Sequence, residues 1–219
     1  MTVCVVGSGG KTTLIKKLAH RFRKEGKTVL VTTSTHMFRE PDTLVTDDAA
    51  AILRAMEQRG WVMAGVGEGA KIRALSPETY AAVCARADVV LVEADGSKGL
   101  PLKFPNATEP VIPENADEII VVCGLNALGQ PAKTVCHRLE LVKACLSIGD
   151  DALITPDHIR QLVREGYLLP LSKAFPGRKL TVWPRHDGSS YQRQVAAHLR
   201  KAWGLADCPE EDPWKDPEE

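Results

Sequence analysis

The chain has no surplus of charge of either sign: 28 Lys and Arg are matched by 28 Asp and Glu. With no basic field to gather phosphates, nucleic acid and anionic membrane surfaces are not expected as primary partners. No apolar run approaches membrane-spanning length. The sequence opens directly on an apolar strand pattern and not on a leader, so a cytoplasmic setting is expected. Cys-x-x-Cys pairs are also missing. The six cysteines, at 4, 84, 123, 136, 145 and 208, are scattered. In a reducing compartment they read as mostly buried thiols, not as a disulfide framework or a zinc site. No internal repeat is visible, and 219 residues suffice for one domain with a good core.

What is present begins at once. Residues 3–13 read Val-Cys-Val-Val-Gly-Ser-Gly-Gly-Lys-Thr-Thr. A β-branched apolar run fits a buried strand. Gly7, Gly9 and Gly10 then let backbone N–H groups turn inward around an anion, with Ser8 inside the same loop. Lys11 is expected in a solvent-facing position that reaches β- and γ-phosphates, and the Thr12 hydroxyl, followed by Thr13, suits Mg²⁺. Leu14, Ile15 and Leu18 recur at helical spacing, so the loop opens a helix whose N-terminal dipole favours phosphate. The full P-loop pattern has a glycine six residues before its lysine; this chain has Val5 there. A glycine turn with no ligand is the plainer alternative.

Apolar strands and amphipathic helices alternate along the chain. The fold expected is therefore α/β, a mainly parallel sheet with helices on both faces, in the manner of a P-loop NTPase three-layer sandwich. The pattern predicts strands over 2–6, 28–32, 61–66, 71–75, 88–92, 118–123 and 179–183. It predicts helices over 12–24, 47–59, 77–86, 134–147, 156–165 and 188–203. Ser76-Pro77-Glu78 and Thr155-Pro156-Asp157 are helix starts with a capping residue, proline in the first turn and an acid. One domain is expected over 1–207. Residues 208–219 are acidic and proline-rich and are expected to fray.

Val89-Val90-Leu91-Val92-Glu93-Ala94-Asp95-Gly96 is a buried strand ending in two acids and a glycine. In an open α/β sheet, ligands bind beyond the carboxyl ends of strands, so Glu93 and the Gly7 loop are expected to face one pocket. There Glu93 suits Mg²⁺ as a Walker-B acid does, Asp95 suits the attacking water, and Gly96 admits the γ-phosphate. The loop Thr32-Thr33-Ser34-Thr35-His36-Met37 offers Thr33 or Thr35 to metal or phosphate and His36 to substrate or water. Ordinary solvated-loop chemistry is the alternative. Lys98–Glu109, stiffened by proline, is either a lid bringing Lys98 or Lys103 to an anionic ligand or a long surface connection. After the last strand, Pro184-Arg185-His186-Asp187 stands where many GTP-binding proteins carry Asn-Lys-x-Asp. A buried Asp187 would accept from guanine and Arg185 would stack on the base, which favours GTP narrowly over ATP; Pro184 supplies no Asn side chain.

Several runs together resemble the YqeC-type family, taken for accessory proteins of selenium-dependent molybdenum hydroxylases. They are Val6–Thr13, Thr32–Met37, Glu93-Ala94-Asp95-Gly96-Ser97-Lys98-Gly99-Leu100-Pro101-Leu102-Lys103, Glu109–Pro113 and Cys136-His137-Arg138-Leu139-Glu140. The likeness extends to about residue 190 and is most specific at Glu93–Gly99. Glu93-x-x-Gly96 is also similar to the strand end of nickel-delivery GTPases. The resemblance implies a P-loop NTPase fold and a role in maturing a selenium-containing molybdenum cofactor or its hydroxylase, with nucleotide and Mg²⁺ as cofactors. His137 and Arg138 join Lys98 and Lys103 as substrate candidates. Rival readings are a small-molecule kinase or Mur-like ligase, and a carrier that cradles the cofactor's phosphate without hydrolysis. A further alternative is selenium handling by Cys136, its thiol activated by His137 and Arg138.

Overall fold

The computed structural model describes residues 1–204. The tail expected over 208–219, like Cys208, lies outside the described residues. The chain forms two compact units that interleave along the sequence. The first holds Met1–Val5, Thr12–Gly96 and Val111–Asp117; the second holds Val6–Lys11, Ser97–Pro110 and the chain from Glu118 on. Both are α/β, built on parallel strands with helices packed beside them.

The chain begins with β1 (Thr2–Gly7), passes into helix α1 (Lys11–Lys24), and returns as β2 (Val29–Thr33). Short strands β3 (His36–Phe38) and β4 (Leu44–Val45) precede helix α2 (Ala49–Arg59). Strands β5 (Trp61–Glu68) and β6 (Lys71–Arg73), helix α3 (Pro77–Cys84) and strand β7 (Val89–Glu93) follow. In the first unit β7 lies between β1 and β2, all parallel, with Val5 opposite Glu93 and Thr33 opposite Glu93 on the other side. β5 extends this run beyond β2, and β6 and β3 continue it antiparallel. β1, β2 and β7 are buried at every position, the burial of strands covered on both faces, which is why their sequences carry the apolar runs 3–6, 29–31 and 89–92. Ser76 caps α3 by accepting from the Thr79 N–H, with Pro77 in the first turn, as the sequence predicts.

The second unit has β8 (Leu102–Lys103), β9 (Glu118–Gly124), α4 (Ala132–Val135), β10 (Cys136–His137) and α5 (Leu139–Leu146). It continues with α6 (Pro156–Val163), α7 (Leu169–Ala174), β11 (Lys179–Arg185) and α8 (Ser190–Ala202). β9 and β11 pair in parallel over their full length, and β8 pairs in parallel with β10.

Three expectations are corrected here. The helix predicted over 134–147 is two short helices, because Cys136 and His137 leave the helix to pair with Leu102 and Lys103, and Arg138 turns the chain at φ 59°. The helix predicted to end near 165 runs on through a π-helical turn, Arg164–Leu168, into α7. The loop after β2 is in part a strand, since His36–Phe38 pair with Lys71–Arg73.

Candidate functional site

In the second unit the glycine loop is built by backbone constraint. Gly7, Gly9 and Gly10 have φ of 93°, 82° and 141°, a region other residues enter only at a cost. The Ser8 N–H donates to the Val122 carbonyl at 2.9 Å, and the Ser8 hydroxyl to the Pro101 carbonyl at 3.0 Å. Ser8 thus spends both donors anchoring the loop and has neither to offer a phosphate. A Cβ on Gly7 would lie 2.1 Å from the Val122 carbonyl oxygen, and one on Gly9 2.7 Å from Gly124 Cα and 2.8 Å from the Pro101 oxygen. Gly7→Ala is therefore expected to destabilise the protein by roughly 2 kcal/mol or more in urea melts, since left-handed backbone alone costs about 1–2 kcal/mol. Gly69→Ala, at φ 58° with nothing within 4 Å, serves as the control and should cost only the backbone part. Equal losses would contradict the close packing of the loop.

Lys11 corrects an expectation. It is not in solvent but 4% exposed. Its Nζ donates to the Gly7 carbonyl at 2.8 Å and lies 3.4 Å from Ser97 Oγ. The loop curls around the ammonium, and the 97–101 segment packs onto it. Arg185 Nη1 reaches the Gly9 carbonyl at 3.5 Å, beside the same loop.

In the first unit, Thr12 Oγ1 donates to Glu93 Oε2 at 2.8 Å, and Glu93 is 7% exposed. Asp95 follows two residues on and is fully buried. Thr33 Oγ1 donates to the Glu93 carbonyl at 2.7 Å, and Thr35 N–H donates to Thr33 Oγ1 at 3.0 Å. Thr33 and Thr35 therefore gather at Glu93, whereas His36 does not: it sits on β3 against Glu68 Oε2 at 3.2 Å.

The 98–109 segment carries a charge cluster of the second unit. Lys103 Nζ and Arg138 Nη1 both donate to Glu109 Oε2, at 2.7 and 2.6 Å. The Lys103 side chain is wholly buried. Burial works against ionising Glu109, but hydrogen bonds from Arg138 and Lys103 hold its carboxyl at about 2. His137 stands opposite Lys103 in the strand pair. Burial, and then the charges of Arg138, Lys103 and Lys98, push its pKa down.

Two other candidates change character. Asp187 is exposed, not buried; its carboxylate accepts from the Ser189 N–H at 2.9 Å and shapes the turn before α8. Cys136 is buried, and burial pushes its thiol up to about 11, so the neighbouring cations do not activate it. Ser8, Val122 and Pro101 as anchors of the loop had no sequence signal, because the contacts join residues far apart in the chain. Among the described residues no group of three or more His, Cys, Asp and Glu is placed to hold a metal, and no helix is long and apolar enough to cross a membrane.

A family model described as YqeC protein matches residues 3–140, a span that contains the loop, Glu93, Asp95 and the charge cluster. The chain is also similar to the uncharacterized protein YqeC of Escherichia coli (strain K12), 36% identical over 172 residues. That match covers 73% of this chain and 64% of the relative.

Proposed function

The chain belongs to the YqeC family, and we propose that it is a P-loop protein that binds Mg²⁺ with ATP or GTP and hydrolyses or transfers the γ-phosphoryl group. The observation that carries this reading is the 2.8 Å hydrogen bond from the Thr12 hydroxyl to Glu93, made by the residue next to the loop lysine. A hydroxyl beside a carboxylate is a pair of hard oxygen donors, the chemistry Mg²⁺ takes and soft metals do not. The parallel register that sets Val5 opposite Glu93 supports it, because it puts the acid at the carboxyl end of its strand, where open α/β sheets bind ligands. So does the start of α1 at Lys11, with no acid in its first turn to oppose an anion.

Mg²⁺ supplies charge neutralisation at the β- and γ-phosphates. The chain's own residues do the rest. Lys11 and the amides of Gly9, Gly10, Lys11, Thr12 and Thr13 bind the phosphates. Thr12 and Glu93 hold the metal, Gly96 leaves room for the γ-phosphate, and Asp95 orients the attacking water. Arg185, already beside the loop, lies against the nucleotide. The fold that goes with this is the P-loop NTPase sandwich. In the cell the work proposed is the maturation of a selenium-containing molybdenum cofactor or of the hydroxylase that carries it, as the family resemblance implies, in the cytoplasm. The test is product analysis on the full chain. Mg²⁺-dependent release of inorganic phosphate, or a phosphorylated acceptor, is expected; nucleotide bound with no product in the presence of hydroxylase and cofactor would leave only a carrier.

Base choice follows from Asp187. An exposed carboxylate already engaged by Ser189 pairs weakly with guanine, because water satisfies whatever adenine leaves unpaired. The preference for GTP is expected to stay below about tenfold, under about 1.4 kcal/mol, and to vanish in Asp187→Ala. Competition binding that favours ATP, or a preference indifferent to Asp187, would make residues 184–187 a turn only.

A further inference from the structure

In the first unit the sheet run ends at β3, which pairs with β6 and with no other described strand. The Arg39 N–H donates to the Ala70 carbonyl at 3.3 Å. In the register that sets Met37 opposite Ile72, residue 39 falls opposite residue 70, so these two form a hydrogen-bonded pair. Along an antiparallel ladder such pairs alternate with pairs that exchange no bonds. Met37 therefore bonds to Ile72, while His36 and Phe38 turn their N–H and C=O groups away from β6. Two donors and two acceptors on one open edge are the template that an added strand uses.

The face beside that edge is aromatic and cationic. His36 and Phe38 of β3 and Lys71 and Arg73 of β6 are exposed, whereas Met37 and Ile72 between them are buried. The four therefore share the outer face of the two strands. Phe38 is 65% exposed. Lys71 Nζ lies 4.9 Å from the centroid of its ring, which carries the ammonium across from β6 toward the open edge. The Glu68 carboxylate is taken up by His36 Nε2 at 3.2 Å. The side chains of Lys71 and Arg73, and of Arg39 at the end of β3, make no hydrogen bond or ion pair with any described residue. On a chain of zero formal charge, this edge is a local positive patch around an exposed aromatic ring.

We infer that the β3 edge is a docking surface for an extended acidic segment of a partner protein, which adds as a strand along His36–Phe38. The outward N–H and C=O groups of His36 and Phe38 hold the segment's backbone. Side chains alternate along the added strand, so carboxylates at every second position fall on the Phe38 face and meet Lys71 and Arg73. Charge selects the occupant. A second copy of this chain does not fit, because pairing two β3 edges sets Lys71 and Arg73 of both copies on one face of the joined sheet, like charge against like. The surface lies wholly in the first unit and does not depend on the nucleotide reading, so either claim can fail alone.

The test titrates a short synthetic peptide of alternating Glu and Val into the full chain, with the matching Lys and Val peptide as control, and follows amide hydrogen exchange residue by residue. With the Glu peptide, exchange at the His36 and Phe38 amides is expected to slow about fivefold or more. The Met37 and Arg39 amides, already bonded to β6, should keep their rates. Lys71→Gln with Arg73→Gln, both exposed, is expected to weaken the peptide about tenfold through lost charge complementarity. Phe38→Ala and Phe38→Pro both remove the ring, but only proline also removes an outward N–H, at an edge position where proline is tolerated. Phe38→Pro should therefore bind the peptide more weakly than Phe38→Ala. No binding of the Glu peptide, binding that leaves the His36 and Phe38 amides unprotected, or equal binding of the Lys peptide overturns the proposal. So does an affinity indifferent to Lys71 and Arg73. Protection of the same two amides by concentration-dependent dimerisation without peptide overturns it too, and gives the edge to a second copy.

Discussion

Lys11→Ala is expected to lower the affinity for ATP and GTP by roughly 10- to 100-fold, the loss of charge-assisted bonds to phosphate of about 1.5–3 kcal/mol. Because Lys11 is buried and donates to the Gly7 carbonyl at 2.8 Å, the substitution also removes a structural donor. A stability loss of about 1.5–3 kcal/mol is expected alongside, the worth of a buried hydrogen bond from a charged donor. Lys11→Met also lacks the charge and the donor but fills most of the same volume. Both variants should lose nucleotide, and Met should retain more of the packing. Calorimetry at one temperature, with denaturant melts of the same preparations, reads both. Unchanged affinity for both nucleotides in folded Lys11→Met would remove the loop from the site.

The second large effect is at Glu93. In Glu93→Gln the side-chain carbonyl can still accept from Thr12 Oγ1, which lies 2.8 Å from Oε2, so the side-chain volume is kept while the charge and one acceptor oxygen are lost. A negative charge next to the metal matters most where charge develops in the transition state. Mg²⁺-dependent turnover is therefore expected to fall about 10²–10³-fold, with nucleotide affinity changed only a few-fold. Asp95→Asn, the other buried acid of the strand end, is expected to slow turnover less. If Asp95→Asn is the damaging change and Glu93→Gln is silent, the metal role belongs to Asp95.

The parts of the site that sequence reveals are those set by short-range pattern. A β-branched run, glycines at a turn, a lysine and a threonine at a helix start all act within a dozen residues, and β1, the loop and α1 follow from them. The acid at the end of β7 is legible for the same reason. What escapes is set by distant pairing. Lys11 is buried because 97–101 packs on the loop, and nothing in residues 7–13 encodes that. The break at Arg138 carries no glycine or asparagine to announce a left-handed turn; it arises because His137 pairs with Lys103. His36 looks like a loop residue until β6 arrives to pair with it. Asp187 reads as a base contact from its spacing, but the turn before α8 takes its carboxylate.

The central claim is that the loop and Glu93 serve one Mg²⁺-bound nucleotide. It is tested most directly by titrating the full wild-type chain with non-hydrolysable ATP and GTP analogues, with and without Mg²⁺, by calorimetry. The account predicts one nucleotide per chain, bound more tightly with Mg²⁺, and that this Mg²⁺ enhancement is lost in Glu93→Gln. No heat of binding for either analogue, or binding indifferent to both Mg²⁺ and Glu93, would contradict it.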